Sequence, residues 1–200
     1  DKDGKTIILY ASNVDEQDSY IKAAESKGYK VLLLDSPIVP HLIQKLESKK
    51  ENISFARVDS DSIDNLIKKE DNIISKLDDK EKDKLKTYIE AVVPKEKYTI
   101  QLEALDSKEL PFIITQPEFM RRMKDMQQSG GNNMFGSMPE IHNVIINVNN
   151  DLVNTIFNSK SKAKRERLIK QSLDLARLSQ NLLKGEELTS FIKRSFDIIK

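Results

Sequence analysis

Short apolar runs alternating with amphipathic stretches set the pattern of the first 58 residues. Residues 6–11 (Thr-Ile-Ile-Leu-Tyr-Ala) and 30–35 (Lys-Val-Leu-Leu-Leu-Asp) are continuous runs, which predicts strands covered on both faces, as in a parallel sheet. Between them the spacing predicts a helix over 13–27, with Asn13 as its cap and Gly28 as its stop. A second helix over 38–49 places Ile38, Leu42, Ile43 and Leu46 at helical spacing, with Ser36 as cap and Pro37 as start. Residues 53–58 read as a third strand. Strand, helix and strand in that order make a βαβ unit with a right-handed crossover, and hence a small open α/β layer.

The character changes after residue 58. Acidic and basic residues interleave over 59–87, with a short helix expected around Ile63, Leu66 and Ile67. A domain boundary belongs in such a solvated stretch. The expected division is an α/β domain over 1–70, a charged connector over 71–77 and a second domain over 78–200. In that second domain a helix over 78–93 aligns Leu85, Tyr88, Ile89 and Val92, and Pro94 ends it. Strands are expected over 97–105, 111–115 and 141–148, and helices over 150–158, 162–184 and 186–199, with Gly185 separating the last two. The last two helices carry apolar bands, Leu168, Ile169, Leu175, Ala176, Leu178, Leu182 and Leu183 on one, and Leu188, Phe191, Ile192, Phe196, Ile198 and Ile199 on the other. Each band is wider than one partner helix covers, and a second copy would complete a four-helix bundle. The fold class expected is therefore an open parallel-sheet α/β subdomain, then an α+β domain ending in a helical hairpin that forms a dimeric four-helix bundle. The expected dimer interface comprises Leu168, Leu175, Leu178, Leu182, Leu188, Phe191, Ile192, Phe196 and Ile199.

Composition narrows the chemistry. The 200 residues include 33 basic and 32 acidic side chains, a net charge of +1, which argues against coating nucleic acid or an anionic membrane. Without cysteine there is no disulfide scaffold, thiol nucleophile or thiolate zinc site, and with only His41 and His142 no multi-histidine metal site. No run reaches the roughly 20 apolar residues of a membrane helix. A start at Asp1 rather than Met suggests a piece of something longer. After the first strand comes Ser12-Asn13-Val14-Asp15 in place of a glycine-rich phosphate loop, and no G-x-S-x-G is present. Asp35-Ser36-Pro37 sits at a strand end where small ligands often bind, but capping and turn formation explain these residue types. No catalytic residue and no metal ligand is expected.

Methionine is the sharpest signal. All five methionines lie between Met120 and Met138. Met120, Met123 and Met126 form, with Phe119, one stripe of a helix that Pro117 can start, and Met134, Phe135 and Met138 lie in the glycine- and asparagine-rich stretch that follows. The stripe could pack as ordinary core. A stretch rich in glycine rarely builds a core, and methionine suits surfaces that accept varied partners. These seven residues are the candidate docking surface for non-native proteins. Lys160, Lys162, Lys164, Arg165, Arg167 and Lys170, against Glu166, support an alternative: a dimeric nucleic-acid-binding regulator using the Lys160–Lys170 face. No aromatic residue interleaves with that run, and a solvated helix face explains it more simply.

Lys5-Thr6-Ile7-Ile8-Leu9-Tyr10-Ala11, the helix ending at Gly28, and Val31-Leu32-Leu33-Leu34-Asp35-Ser36-Pro37-Ile38 together resemble the closing α/β segment of the middle domain in the ninety-kilodalton heat-shock chaperones, above all their bacterial branch. The later order resembles the same family: charged connector, helix, strands, Pro111-Phe112-Ile113-Ile114-Thr115, a Met-rich amphipathic helix, a strand over 141–147 and a terminal helical hairpin. The pattern departs from it at Asn147-Val148-Asn149-Asn150, where the family commonly has Asn-Pro-x-His. The resemblance implies part of a cytoplasmic, ATP-dependent, homodimeric stress chaperone that binds unfolded client proteins, with no nucleic-acid or membrane partner. ATP and magnesium would act in the parent's N-terminal domain, so this chain would hold no cofactor and would not be an enzyme by itself. By position, the Phe119–Met126 segment and the stretch after it would be the client surface, and the hairpin over 162–199 the dimer interface.

Overall fold

Thr6–Ala11 forms β1, the middle strand of a three-stranded parallel sheet ordered β2-β1-β3, with β2 at Leu32–Leu33 and β3 at Ile53–Arg57. The computed structural model describes residues 1, 3–67, 73–117, 120, 122 and 141–199. The chain divides into two units: Asp1–Asn72 with Thr115–His142, and Ile73–Ile114 with Asn143–Lys200.

In the first unit, Tyr10 pairs with Leu32 on one side and Arg57 on the other. Side chains alternate along a strand, so Ile8 and Tyr10 share a face and Leu9 and Ala11 take the opposite one. Tyr10 and Phe55 close a small core with Val39 and Ile43 of α2 (Val39–Lys49). Helix α1 (Val14–Ser26) starts where the Asn13 side chain accepts the Asp15 and Glu16 amides. It stops before Gly28, whose φ of +82° would strain any residue with a Cβ.

The strand expected over 30–35 and the cap expected at Ser36 both differ in the structure. Residues 30–35 yield only the two-residue strand β2, and Leu32 and Leu33 are 48% and 54% exposed. Lying at the sheet edge, this strand is not covered on both faces. Helix α2 begins with Ile38 at its cap position and without a side-chain cap, so Ser36 does not cap it. The Ser36 carbonyl instead accepts the Val39 amide at 3.0 Å, and Pro40, not Pro37, occupies the first turn, where a missing N–H costs nothing. Past β3, Arg57 forks onto Asp59 at 2.6 and 2.8 Å, and the Asp59 carbonyl accepts the Gln116 amide at 3.3 Å. The short helix α3 (Ile63–Leu66) is capped by Ser62.

In the second unit, α4 (Asp79–Glu90) opens with a reciprocal capping box between Asp78 and Glu81. Three strands, β4 (Tyr98–Glu103), β5 (Phe112–Thr115) and β6 (His142–Asn147), form a sheet ordered β4-β6-β5. Phe112, Ile114, Val144 and Ile146 supply its core face. Against them lie Leu85 and Ile89 of α4, Val153 and Ile156 of α5 (Asp151–Asn158), and Ile169 and Leu173 of α6 (Lys162–Ser179). The α/β subdomain is thus followed by helical segments ending in two long helices, α6 and α7 (Gly185–Ile199). Helix α6 is shorter than the spacing suggests. It stops at Ser179 because Asn181 turns left-handed, with φ +55°, and Asn is one of the few side chains that tolerate this.

The Asn147–Asn150 stretch binds this unit together. Asn147 is fully buried; its Oδ1 accepts the Leu105 and Asn149 amides at 3.2 and 3.1 Å, and its Nδ2 donates to the Asp106 carbonyl at 2.7 Å. Asn149 accepts the Lys76 amide at 2.8 Å and donates to the Ile74 and Leu105 carbonyls. Asn150 caps α5 through the Leu152 amide and donates to the Glu109 carbonyl at 2.8 Å. Where the resembled pattern has Pro and His this chain has Val148 and Asn150, and the side chains of Asn147, Asn149 and Asn150 close the turn.

Candidate functional site

Helices α6 and α7 are joined by polar bonds. Asp174, 5% exposed, accepts from Arg177 at 3.1 Å and from Arg194. Arg177 also pairs with Glu187, and Arg194 Nε donates to Gln171 Oε1 at 2.8 Å. Gln171 Nε2 reaches Ser195 Oγ at 2.9 Å. Residues 171, 174 and 177 recur every three positions and so share one helix face. A carboxylate this buried is tolerable only when opposite charges meet it. The hydrogen bond from Arg177 holds the Glu187 carboxyl below its ordinary pKa.

This polar joint leaves apolar residues facing outward. Of the nine expected interface residues, Leu175, Leu178, Ile192 and Phe196 are 51%, 41%, 45% and 62% exposed. Ile198 is exposed as well. The 175/178 and 192/196 spacings each define one helix face. Leu168 and Leu182 pack against the core of their own unit, Phe191 is buried, and Leu188 is half-buried. The Ile199 side chain lies outside the described residues. Exposed leucines are ordinary singly, but large apolar residues repeated along helix faces are a mark of association.

Of the seven methionine and phenylalanine candidates, Met120 is described and is half-buried. Phe119, Met123, Met126, Met134, Phe135 and Met138 lie outside the described residues. Two positions past Met120, Arg122 meets α2 and β3 of the same unit. Its guanidinium holds Glu47 at 2.8 and 3.1 Å and donates to the Phe55 carbonyl at 2.9 Å, while Glu47 Oε1 also accepts the Phe55 amide at 2.8 Å. Burial alone would raise the Glu47 pKa; the bonds from Arg122 and Phe55 outweigh it and leave the pKa lowered. Nothing in the sequence around Arg122 signals a partner 75 positions away.

On the basic face, Lys160, Lys162, Lys164, Arg167 and Lys170 are exposed. Arg165 is not free: it lies 3.7 Å from the Tyr88 ring centre and donates to the Ser159 carbonyl at 3.0 Å. An aromatic ring does sit beside these cations in space, though none interleaves with them in the sequence, and Arg165 covers it. A polar cleft of about 500 Å3, lined by residues that include Asn158, Ser161 and Lys164, lies at the start of α6.

Nothing after β1 would cradle a phosphate. The Ser12 and Asn13 amides are already bonded to Gln17 Oε1 at 2.7 and 3.0 Å, and Asn13 takes the next amides of α1. Among the described residues no three acidic or histidine side chains could hold a metal ion, and no helix is long and apolar enough to cross a membrane.

No protein-family model matches the chain. Curated relatives do. The chaperone protein HtpG of Bacteroides thetaiotaomicron is 33% identical across 100% of this chain and 39% of its own length. HtpG of Porphyromonas gingivalis strain W83 is 37% identical across 94% of the chain and 27% of its own length. The Bacteroides fragilis 638R protein is 32% identical across 100% and 39%. The chain thus spans about two fifths or less of these relatives' length. The Bacteroides alignments run over 267 positions against 200 residues here, so those relatives carry extra residues within the matched stretch. That stretch is not the N-terminal portion of the relatives. By these matches the chain is a homologue of the bacterial chaperone HtpG, of the ninety-kilodalton heat-shock family.

Proposed function

We propose that this chain serves an ATP-dependent, cytoplasmic chaperone by pairing two copies and by presenting part of the surface that grips unfolded clients. The observation that carries the pairing is the outward row of Leu175, Leu178, Ile192 and Phe196 on two helices locked together by the Asp174 network. Two such hairpins, related by a two-fold axis, would bury these residues against each other as a four-helix bundle. Paired chains hold their remote parts at an effective concentration of about a millimolar, without any new contact between them. The Phe119–Met138 segment grips clients through flexible thioethers and rings that adapt to many apolar shapes. ATP and magnesium act in a part of the chaperone outside this chain. That placement is supported by the bonded amides after β1 and by the homology.

Energy transfer between copies tests the pairing. Lys193→Cys gives a unique labelling point on an exposed stretch of α7, since the chain has no cysteine. Donor- and acceptor-labelled chains mixed at micromolar concentration should show transfer, and the Leu178→Glu/Phe196→Glu variant should not. Absence of transfer in the parent chain at those concentrations would overturn the pairing.

A further inference from the structure

The structure assigns to Arg122 the role of a latch: it fixes the methionine-bearing segment at Met120 onto helix α2 and strand β3 of the α/β unit, with Glu47 as its receptor. The geometry is a set of reciprocal bonds. Arg122 forks onto both Glu47 oxygens, and its Nη2 also meets the Phe55 carbonyl, while the Phe55 amide returns to Glu47. Glu47 and Arg122 side chains are 22% and 32% exposed, so water screens the pair only in part. Fixing the fork in this plane suits Arg and not Lys, whose ammonium cannot match two carboxylate oxygens at once. A second tie, from the Gln116 amide to the Asp59 carbonyl, holds the same segment six residues upstream, and Arg57 in turn clamps Asp59. Met120 lies between these two ties. At Gln116 and Arg122 the chain is therefore tied to the α/β unit, and Arg122 is a positioning residue for what Met120 grips. That consequence for clients rests on the reading given under Proposed function; the latch does not.

The test uses the 200-residue chain with Met120→Cys carrying a nitroxide. In the parent background the label should be immobilised. Arg122→Glu and Glu47→Arg should each release it, and Arg122→Lys, which keeps the charge but loses the fork, should release it in part. Arg122→Gln and Glu47→Gln carry the same test if either swap fails to melt cooperatively by circular dichroism. Unchanged spectra in the single variants, or full immobilisation kept in Arg122→Lys, would overturn the latch. Capture of a permanently unfolded probe, reduced and carboxymethylated lactalbumin, should weaken about tenfold in Arg122→Gln with Met120 retained. Release of the label with capture unchanged would leave the latch standing and overturn the client role of the segment.

Discussion

Asn147 does the work of several residues. Three backbone groups, the Leu105 and Asn149 amides and the Asp106 carbonyl, find their partner in this one buried amide. An apolar replacement strands all three away from water, and each stranded group costs on the order of 1–3 kcal/mol, less than additively. Asn147→Ala should therefore lower stability by about 3 kcal/mol in urea unfolding followed by circular dichroism; a loss below about 1 kcal/mol would contradict this account of the turn. At this scale the sequence was only partly legible. Asn13 as a cap and Gly28 as a stop follow from local spacing, because their partners lie within four residues. The Leu105 and Asp106 partners of Asn147 and the Glu47 partner of Arg122 lie 41 to 75 positions away, and no periodicity encodes such pairings.

Elements were easier to foresee than their ends. The helices over Asp79–Glu90 and Asp151–Asn158 follow from apolar spacing and from caps that sit in the sequence, and Gly185–Ile199 follows from apolar spacing. The edge strand at Leu32–Leu33 does not, because a continuous apolar run has the same appearance whether or not anything covers it. The helix pair holds the most consequential surprise. Apolar bands announce α6 and α7 in the sequence, yet buried charges and amides make the hydrogen bonds between them. Removing Asp174 leaves Arg177 and Arg194 with less counter-charge in a largely buried site. Asp174→Ala should cost about 3 kcal/mol and speed hydrogen exchange across Gly185–Ile199. Unaltered exchange in that helix would show that the apolar contacts alone hold it.

For the molecule as a whole, the question is what covers Leu175, Leu178, Ile192 and Phe196. Exposed residues of this size at helical spacing are costly to leave in water, at about 25 cal/mol per Å2 of apolar surface. A second copy is the occupant proposed here, and it makes every other part of the account bivalent: two α/β units, two latched methionine segments, one joint. Charge gives no competing answer, since the net charge is +1 and Arg165 is already engaged with Tyr88 and Ser159. The most direct measurement is the solution mass of the 200-residue chain by size exclusion with multi-angle light scattering at micromolar concentration. The account predicts twice the 22.9 kDa chain mass, falling to 22.9 kDa in Leu178→Glu/Phe196→Glu. A parent chain that elutes at the mass of one copy would contradict it.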